Sequence, residues 1–458
     1  MGVRTEKSPN AWPAMLQDVG VGGASTCAWQ AVPDGSAEKA LSALRQWRLR
    51  ASALRPDHLA DFPFQALVNH YRGVGRLSAA DSVAAELRRL HDSLAEAEAE
   101  VETVRAGAAS GSVLAHWLPL SIDQEDGDYH TYIGTALYER HWRQQSERRP
   151  ESEARDEVMV ALMADLLATE GRALVHTASR DQYARTRAAY QLLKQSATLA
   201  PTMQQDVADV SSGAPAVADG TDGTALATDS MGLAADVLAR VPDAVRQLVD
   251  ITMLPVTQLH DEQMFIRCIQ IFESLYAHVA GGLERAIAAL ENDEADEAEA
   301  VLRDAAARVE AMPILFRVLT TMPRDAFAVI RNHTHGRSAI QSRSYRQVES
   351  LSAPRDEGAG PQRADRRDDG DSTLQSVYLE RVEHRMTAAR AGGLADVMRR
   401  LDLAWRTSKR THWGVTLKVI GTVPGTGGTS GADYLKQAAG ISLFPALAAE
   451  AAPGTASQ

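Results

Sequence analysis

The sequence predicts an all-α fold, and three observations carry the prediction. Leu394, Met398, Leu401, Trp405, Ser408, His412, Val415 and Val419 recur at alternating spacings of four and three, which lays them along one face of a long helix. Phe265, Ile269, Phe272, Tyr276, Val279, Leu283, Ile287 and Leu290 repeat with the same period, and Met264, Cys268, Ile271 and Leu275 widen that face. A helix apolar on most sides is central to a bundle. Helical patterns also dominate residues 37–106 and return in runs at 151–175 and 182–199.

Taken in order, the 458 residues are enough for two or three domains and a large core. Residues 1–34 carry Gly, Ser and Pro without periodicity and read as a flexible leader. An N-terminal helical region spans 35–112. Leu41, Leu44 and Trp47 share one face there, and Phe62, Phe64, Leu67, Val68 and Tyr71 form a second cluster. Leu87, Leu90, Leu94 and Val101 lie in a strongly charged third helix. After a Gly/Ser break at 107–112, the main helical domain is expected over 113–447.

Tyr129, Tyr132 and Ile133 share a helical face near its start. They form either an aromatic core stripe or a pocket wall for a flat ligand. Residues 201–230 are rich in Gly, Ala, Asp, Ser and Thr and read as a mobile insertion. Order resumes over 233–251, and Pro255 is expected to open the long helix ending at Leu290. A charged helix follows over 293–309. Pro323 starts a helix with Phe327 and Arg331 at i and i+4. Arg331 is either a surface residue packed on Phe327 or a bidentate clamp for a carboxylate.

Residues 352–371 form a linker dense in Arg, Asp, Gly and Pro, and a helix over 374–389 is expected to end at Gly392 and Gly393. The His412 helix stops at Gly421. A glycine-rich loop with Gly425, Thr426, Gly427, Gly428 and Gly431 follows. Tyr434, Leu435, Leu443, Phe444 and Leu447 close the fold before a flexible tail at 448–458.

Composition removes several function classes. A net charge of −12 argues against a nucleic-acid partner. Part of the acid is concentrated in 291–299, a solvated helix face. Cys27 and Cys268 give neither a disulfide framework nor a CxxC or CxxCH motif, which fits a reducing cytoplasm. No apolar run reaches membrane-spanning length and the N-terminus lacks an apolar signal core, so a cytoplasmic protein is expected. His260-Asp261-Glu262 is not HExxH, and the acids there suit a helix start. His333 and His335 flank Thr334 but lack a third metal ligand. The glycine loop follows no strand and lacks Gly-Lys-Ser/Thr, so it is neither a dinucleotide fingerprint nor a P-loop. His412 is the one imidazole in its apolar stripe. It is either a satisfied core histidine or an axial ligand of haem.

Four stretches together resemble the tryptophan 2,3-dioxygenase family and its haem-dependent aromatic oxygenase relatives. Tyr129 to Ile133 resembles the family's Tyr-x-x-Tyr-Leu. His260 to Ile266 resembles its His-Asp-Glu-x-x-Phe-Ile helix, with Glu273 at the Glu of its Glu-Leu-Trp. Phe327 and Arg331, then Gln341, Ser342, Tyr345 and Arg346, resemble its (Tyr/Phe)-x-x-x-Arg and Phe-Gln-Ser-x-x-Tyr-Arg. His412 and the loop from Gly425 to Gly431 resemble its proximal-His helix and Gly-Thr-Gly-Gly-Ser-Ser-Gly loop, at matching spacing. The resemblance covers roughly 115–150 and 250–447 and leaves the N-terminal region outside.

It implies an all-helical fold holding haem b and an oxygenase, usually a homotetramer, that opens the indole ring of tryptophan with O2 to give N-formylkynurenine. On this resemblance His412 is the proximal iron ligand, and Phe265 and Ile269 belong to the cofactor side. Arg331, Phe327, Thr426 and Gly425 hold the amino-acid end of the substrate. Tyr129, Tyr132 and Ile133 line the ring. A homo-oligomer, tetramer or dimer, is expected. Two further readings keep the haem: an aromatic hydroxylase or monooxygenase, and a sensor without turnover.

The sequence departs from the family at three points. Ile269 stands where the tryptophan enzymes place a distal His, so no base contacts the indole N–H. Phe327 replaces the Tyr of the bacterial enzymes and removes one hydroxyl from the clamp. The insertion before Pro255 is long, and the segment between Arg346 and His412 is short.

Overall fold

The computed structural model describes residues 35–50, 61–102, 113–122, 129–177, 179–200, 223–333, 341–354, 372–421, 424–425 and 429–450. Among these residues it is all-α, with eighteen α-helices, one short 3-10 turn and no strand. The expected leader at 1–34, the break at 107–112, the tail from 451 and Cys27, Thr334, His335 and Thr426 lie outside the described residues.

The architecture is built around α11 (His260–Glu291), whose 32 residues are apolar on most sides and almost entirely buried. It packs against α7 (Glu151–His176), α12 (Ala295–Leu319), α14 (Arg343–Ser352) and α15 (Leu374–His384). Shorter contacts come from α5 (Tyr129–Ile133) and α13 (Arg324–His333). The other long helix, α16 (Ala388–Val419), lies along α12. Its C-terminal stretch is followed by α17 (Ala432–Ala438) and α18 (Pro445–Glu450), which fold back onto it. A second pair, α8 (Arg180–Ala197) and α9 (Gly223–Arg240), covers α7.

Five element bounds differ from the sequence reading. The central helix begins at His260 rather than Pro255. Glu262 turns back to accept hydrogen bonds from Val256 N (2.9 Å) and Thr257 N (2.6 Å), which holds 256–257 as a capped loop outside the helix. The glycine pair does not end a helix: α15 stops at His384, and Gly392 and Gly393 lie inside α16. The break falls at 385–387, where the Thr387 side chain caps Arg390 N and the buried Ala391 and Leu394 anchor the new helix. Part of the expected insertion is ordered. Residues 223–230 open α9, with Ala227 and Ser230 fully buried beside Gly171, while 201–222 lie outside the described residues. The helix expected over 293–309 runs on to Leu319 and includes Pro313. Of the 352–371 linker, Ser352 is the last residue of α14 and 355–371 lie outside the described residues.

The N-terminal region shares its core with the rest. α1 (Ser36–Arg50) and α2 (Phe64–Val74) bring Trp47 and Phe64 onto Phe62, and Phe62 meets Trp117 of α4 (Val113–Ile122) at 5.8 Å between ring centroids. Backbone bonds tie the regions as well: Arg76 N donates to Pro255 O (2.8 Å) and Leu77 N to Val256 O (3.1 Å). Gly75 makes this approach possible. Its φ of +75° suits glycine, and a Cβ there would sit 2.5 Å from the Thr257 carbonyl carbon.

Candidate functional site

The His-Asp-Glu triplet that opens α11 is committed to structure. His260 Nε2 bonds Glu170 at 3.0 Å, and Arg185 reaches both Asp261 (2.6 Å) and Glu170 (3.8 Å). Burial would raise the Glu170 carboxyl, yet His260 and Arg185 outweigh it and bring it down to about 2. Glu262 accepts from the 256–257 backbone, from the Thr257 hydroxyl and from Tyr132 Oη at 3.0 Å. Among the described residues no group of three His, Cys, Asp or Glu side chains converges as a metal cage.

Tyr129, Tyr132 and Ile133 are buried on α5, which lies along α11. Their rings face inward as the sequence predicts, but the hydroxyls are taken by carboxylates of α11: Tyr132 by Glu262 and Tyr129 by Glu273 at 3.0 Å. Glu262, Ile269 and Glu273 recur at spacings of seven and four, so they share one face of α11. Ile269 therefore lies on that face between the two tyrosine anchors, nearly buried at 9% exposure. The sequence reads Glu262 as an acid suited to a helix start and gives Glu273 no role, although a charged residue inside an apolar stripe is the available signal for both.

Phe265 projects from α11 beside Phe327 of α13, edge to face with centroids 6.0 Å apart. Further along α13, Arg331 donates to the carbonyl of Pro424, next to Gly425 in the loop after α16. At the helix start, Arg324 Nε donates to Lys418 O (2.7 Å) and Lys418 Nζ to Thr320 O (2.7 Å). Helix α13 thus connects the aromatic side of α11 to the end of the His412 helix. Gly421, at φ +74°, ends α16, and Gly425 N donates to Thr429 O (3.0 Å) to turn the loop back. Arg331, Phe327, Phe265 and Gly425 are brought together in this way, whereas Tyr129 and Tyr132 are held by α11 itself.

His412 lies seven residues beyond Trp405 on the same face of α16. Its ring stacks on Phe316 of α12, with centroids 5.2 Å apart and planes within 19°. Phe316 in turn packs on Phe272 of α11 at 4.6 Å. By surface area the imidazole is half-buried, but protein surrounds it closely, and this loss of hydration alone pushes it down to about 4. Among the described residues neither ring nitrogen has a hydrogen-bond partner. A proximal ligand of haem iron must be neutral, unprotonated at one nitrogen and set in an apolar wall. His412 meets these conditions, so the residues present fit that group.

The fold and this arrangement define an all-helical bundle in which His412, without a hydrogen-bond partner among the described residues, stacks on Phe316 between the two long helices. Comparison with known proteins points to the same class as the sequence motifs. No family model matches the chain. The chain is similar to the tryptophan 2,3-dioxygenase of Burkholderia multivorans, 26% identical over 42% of this chain and 76% of the relative. It is also similar to those of Paraburkholderia phytofirmans, 24% identical over 42% and 77%, and Burkholderia ambifaria, 25% identical over 42% and 76%. The resemblance to the tryptophan 2,3-dioxygenase family therefore stands on similarity over 42% of the chain as well as on the four stretches. Among the described residues no helix is long and apolar enough to cross a membrane.

Proposed function

We propose that this protein is a haem-dependent dioxygenase that opens the indole ring of L-tryptophan or a close analogue with O2 to give the N-formylkynurenine product. The observation that carries the reading is His412: a neutral imidazole, pushed down to about 4 by desolvation and without a hydrogen-bond partner among the described residues. Haem, held by His412, would supply the activation of dioxygen that no side chain here can provide. The chain's own part is orientation and dryness. Arg331, which donates to the Pro424 carbonyl beside Gly425, takes the substrate carboxylate in this reading, and the family resemblance adds Thr426, which lies outside the described residues. Phe265 and Phe327 give an apolar contact for the ring.

Ile269 favours a second reading, an aromatic hydroxylase or monooxygenase. An aliphatic side chain on that face offers no acceptor to an indole N–H, so selection for tryptophan weakens. Reconstitution with haem, followed by reduction and addition of O2 and L-tryptophan, separates the two. Haem uptake with N-formylkynurenine absorbance is the expected result. Uptake without that product, together with turnover of a tyrosine-like ring, would shift the assignment to the second reading. Arg331→Leu is expected to weaken amino-acid binding at least 10-fold more than binding of the decarboxylated amine, on the order of one charge-assisted hydrogen-bonded pair. Equal loss for both ligands, measured by calorimetry, would remove the clamp.

A further inference from the structure

Glu273 stands apart from the other buried carboxyls of the molecule. Glu170 has His260 and Arg185, Asp165 has Arg267, and Glu262 accepts from two backbone N–H groups. Glu273, only 3% exposed, has two neutral hydroxyls: Tyr129 Oη at 3.0 Å and Ser342 Oγ at 2.9 Å. Among the described residues no cation pairs with it. The titratable groups that face it are Tyr129 from α5, Tyr276 on its own helix and Glu139 on α6 (Thr135–Ser146). His130 of α5 bonds Thr135 and the carbonyl of Gln341, just before α14, and Arg346 of α14 donates to that same carbonyl. On α14 itself, Tyr345 and Glu349 bond each other.

Each hydroxyl is the anchor of an element. Tyr129 begins α5. Ser342 is the N-cap of α14, where its Oγ also accepts from Tyr345 N at 3.1 Å. Helix α14 then reaches the His412 helix: Tyr345 stacks on Trp405 at 5.2 Å, and Glu349 accepts from Lys409 at 2.6 Å. Lys409 is three residues before His412. One carboxyl in the middle of α11 therefore holds both the aromatic stretch and the helix that braces α16.

We propose that Glu273 is a positioning residue that latches α5 and α14 onto α11 as a neutral acid, and that its ionisation releases them. The physical basis is burial without a counter-charge. A carboxylate in this place loses its hydration and gains only two neutral hydrogen bonds, whereas the neutral acid keeps the network at little cost. Burial accordingly pushes the carboxyl up to about 7, with the Ser342 and Tyr129 bonds opposing and Glu139 adding to the rise. In an opened state Glu273 is hydrated and returns to its ordinary value of 4.5. Opening is therefore favoured increasingly as pH climbs from 4.5 to about 7, and no further above that. The latch rests on the proposed function only for its consequence at the substrate site.

The test is hydrogen–deuterium exchange of the full chain, without added cofactor or substrate, between pH 5 and 8, corrected for intrinsic exchange rates. Failure of haem uptake and failure of the latch are then separate results. In the natural chain, protection of the Tyr345–Val348 amides is expected to fall with pH by up to about 100-fold and then level off. Glu273→Gln, always neutral, is expected to keep protection flat and above that of the natural chain at pH 8. Tyr129→Phe removes a bond that favours the carboxylate, so the levelling point should move to higher pH. Flat protection in the natural chain, an unchanged slope in Glu273→Gln, or an unmoved break in Tyr129→Phe would each overturn the proposal.

Discussion

Helices α11 and α16 are both 32 residues long, and they treat buried polar groups in opposite ways. On α11 every buried charged or imidazole side chain is matched. His260 has Glu170, Glu262 has the loop it caps, Arg267 has Asp165 at 2.6 Å, Glu273 has Tyr129 and Ser342, and His278 has Asp304 at 2.9 Å. On α16, Asp402 and Lys409 are matched too, through Leu443 N and Glu349. His412 is not. A buried polar group with partners is part of the architecture, because removing it orphans another. A polar group in an apolar wall without partners costs stability and calls for a ligand. The contrast separates His260 and His278, which hold the fold, from His412, which has no hydrogen-bond partner among the described residues.

The largest expected effect comes from breaking the α11 side. Glu170→Ala leaves His260 and Arg185 buried and underpaired, and should cost about 3–5 kcal/mol, seen as a lower denaturation midpoint. The same carboxyl sets an acid limb. Its value in the fold is about 2 against 4.5 when free, so its contribution is present above 4.5 and lost as pH falls toward 2. Glu170→Gln should flatten unfolding stability across that window; an unchanged acid limb would place the linkage elsewhere.

A smaller effect is expected where the N-terminal region docks on the loop before α11. Gly75→Ala pushes a Cβ into the Thr257 backbone at a left-handed φ, and should cost about 1–3 kcal/mol. Thermal denaturation measures it. An unaltered midpoint would mean that the two regions are coupled more loosely than their backbone hydrogen bonds indicate.

The apolar stripes of α11 and α16, the Phe327/Arg331 pair and the stop at Gly421 were legible in the sequence because each depends on neighbours within a few residues. What was not legible depended on distant partners. Nothing local tells that Glu262 pulls 256–257 into a loop and so delays the start of α11 to His260. Nothing local tells that Gly392 and Gly393 continue a helix, since the anchoring comes from the buried Ala391 and Leu394. The tyrosine stretch was placed correctly on a buried face, but its hydroxyl partners are more than a hundred residues away on α11. Phe316, the ring on which His412 stacks, carried no signal beyond its place in an apolar run.

The account turns on His412, and the most direct measurement is haem titration by Soret absorbance of the natural chain and of His412→Leu, with urea denaturation of both without haem. The expected result is saturable haem binding by the natural chain, none by the variant, and stability within about 1 kcal/mol between them, since leucine orphans no partner. A variant that binds haem as well as the natural chain, or that unfolds several kcal/mol more easily, would return His412 to the architecture of the core and contradict the account.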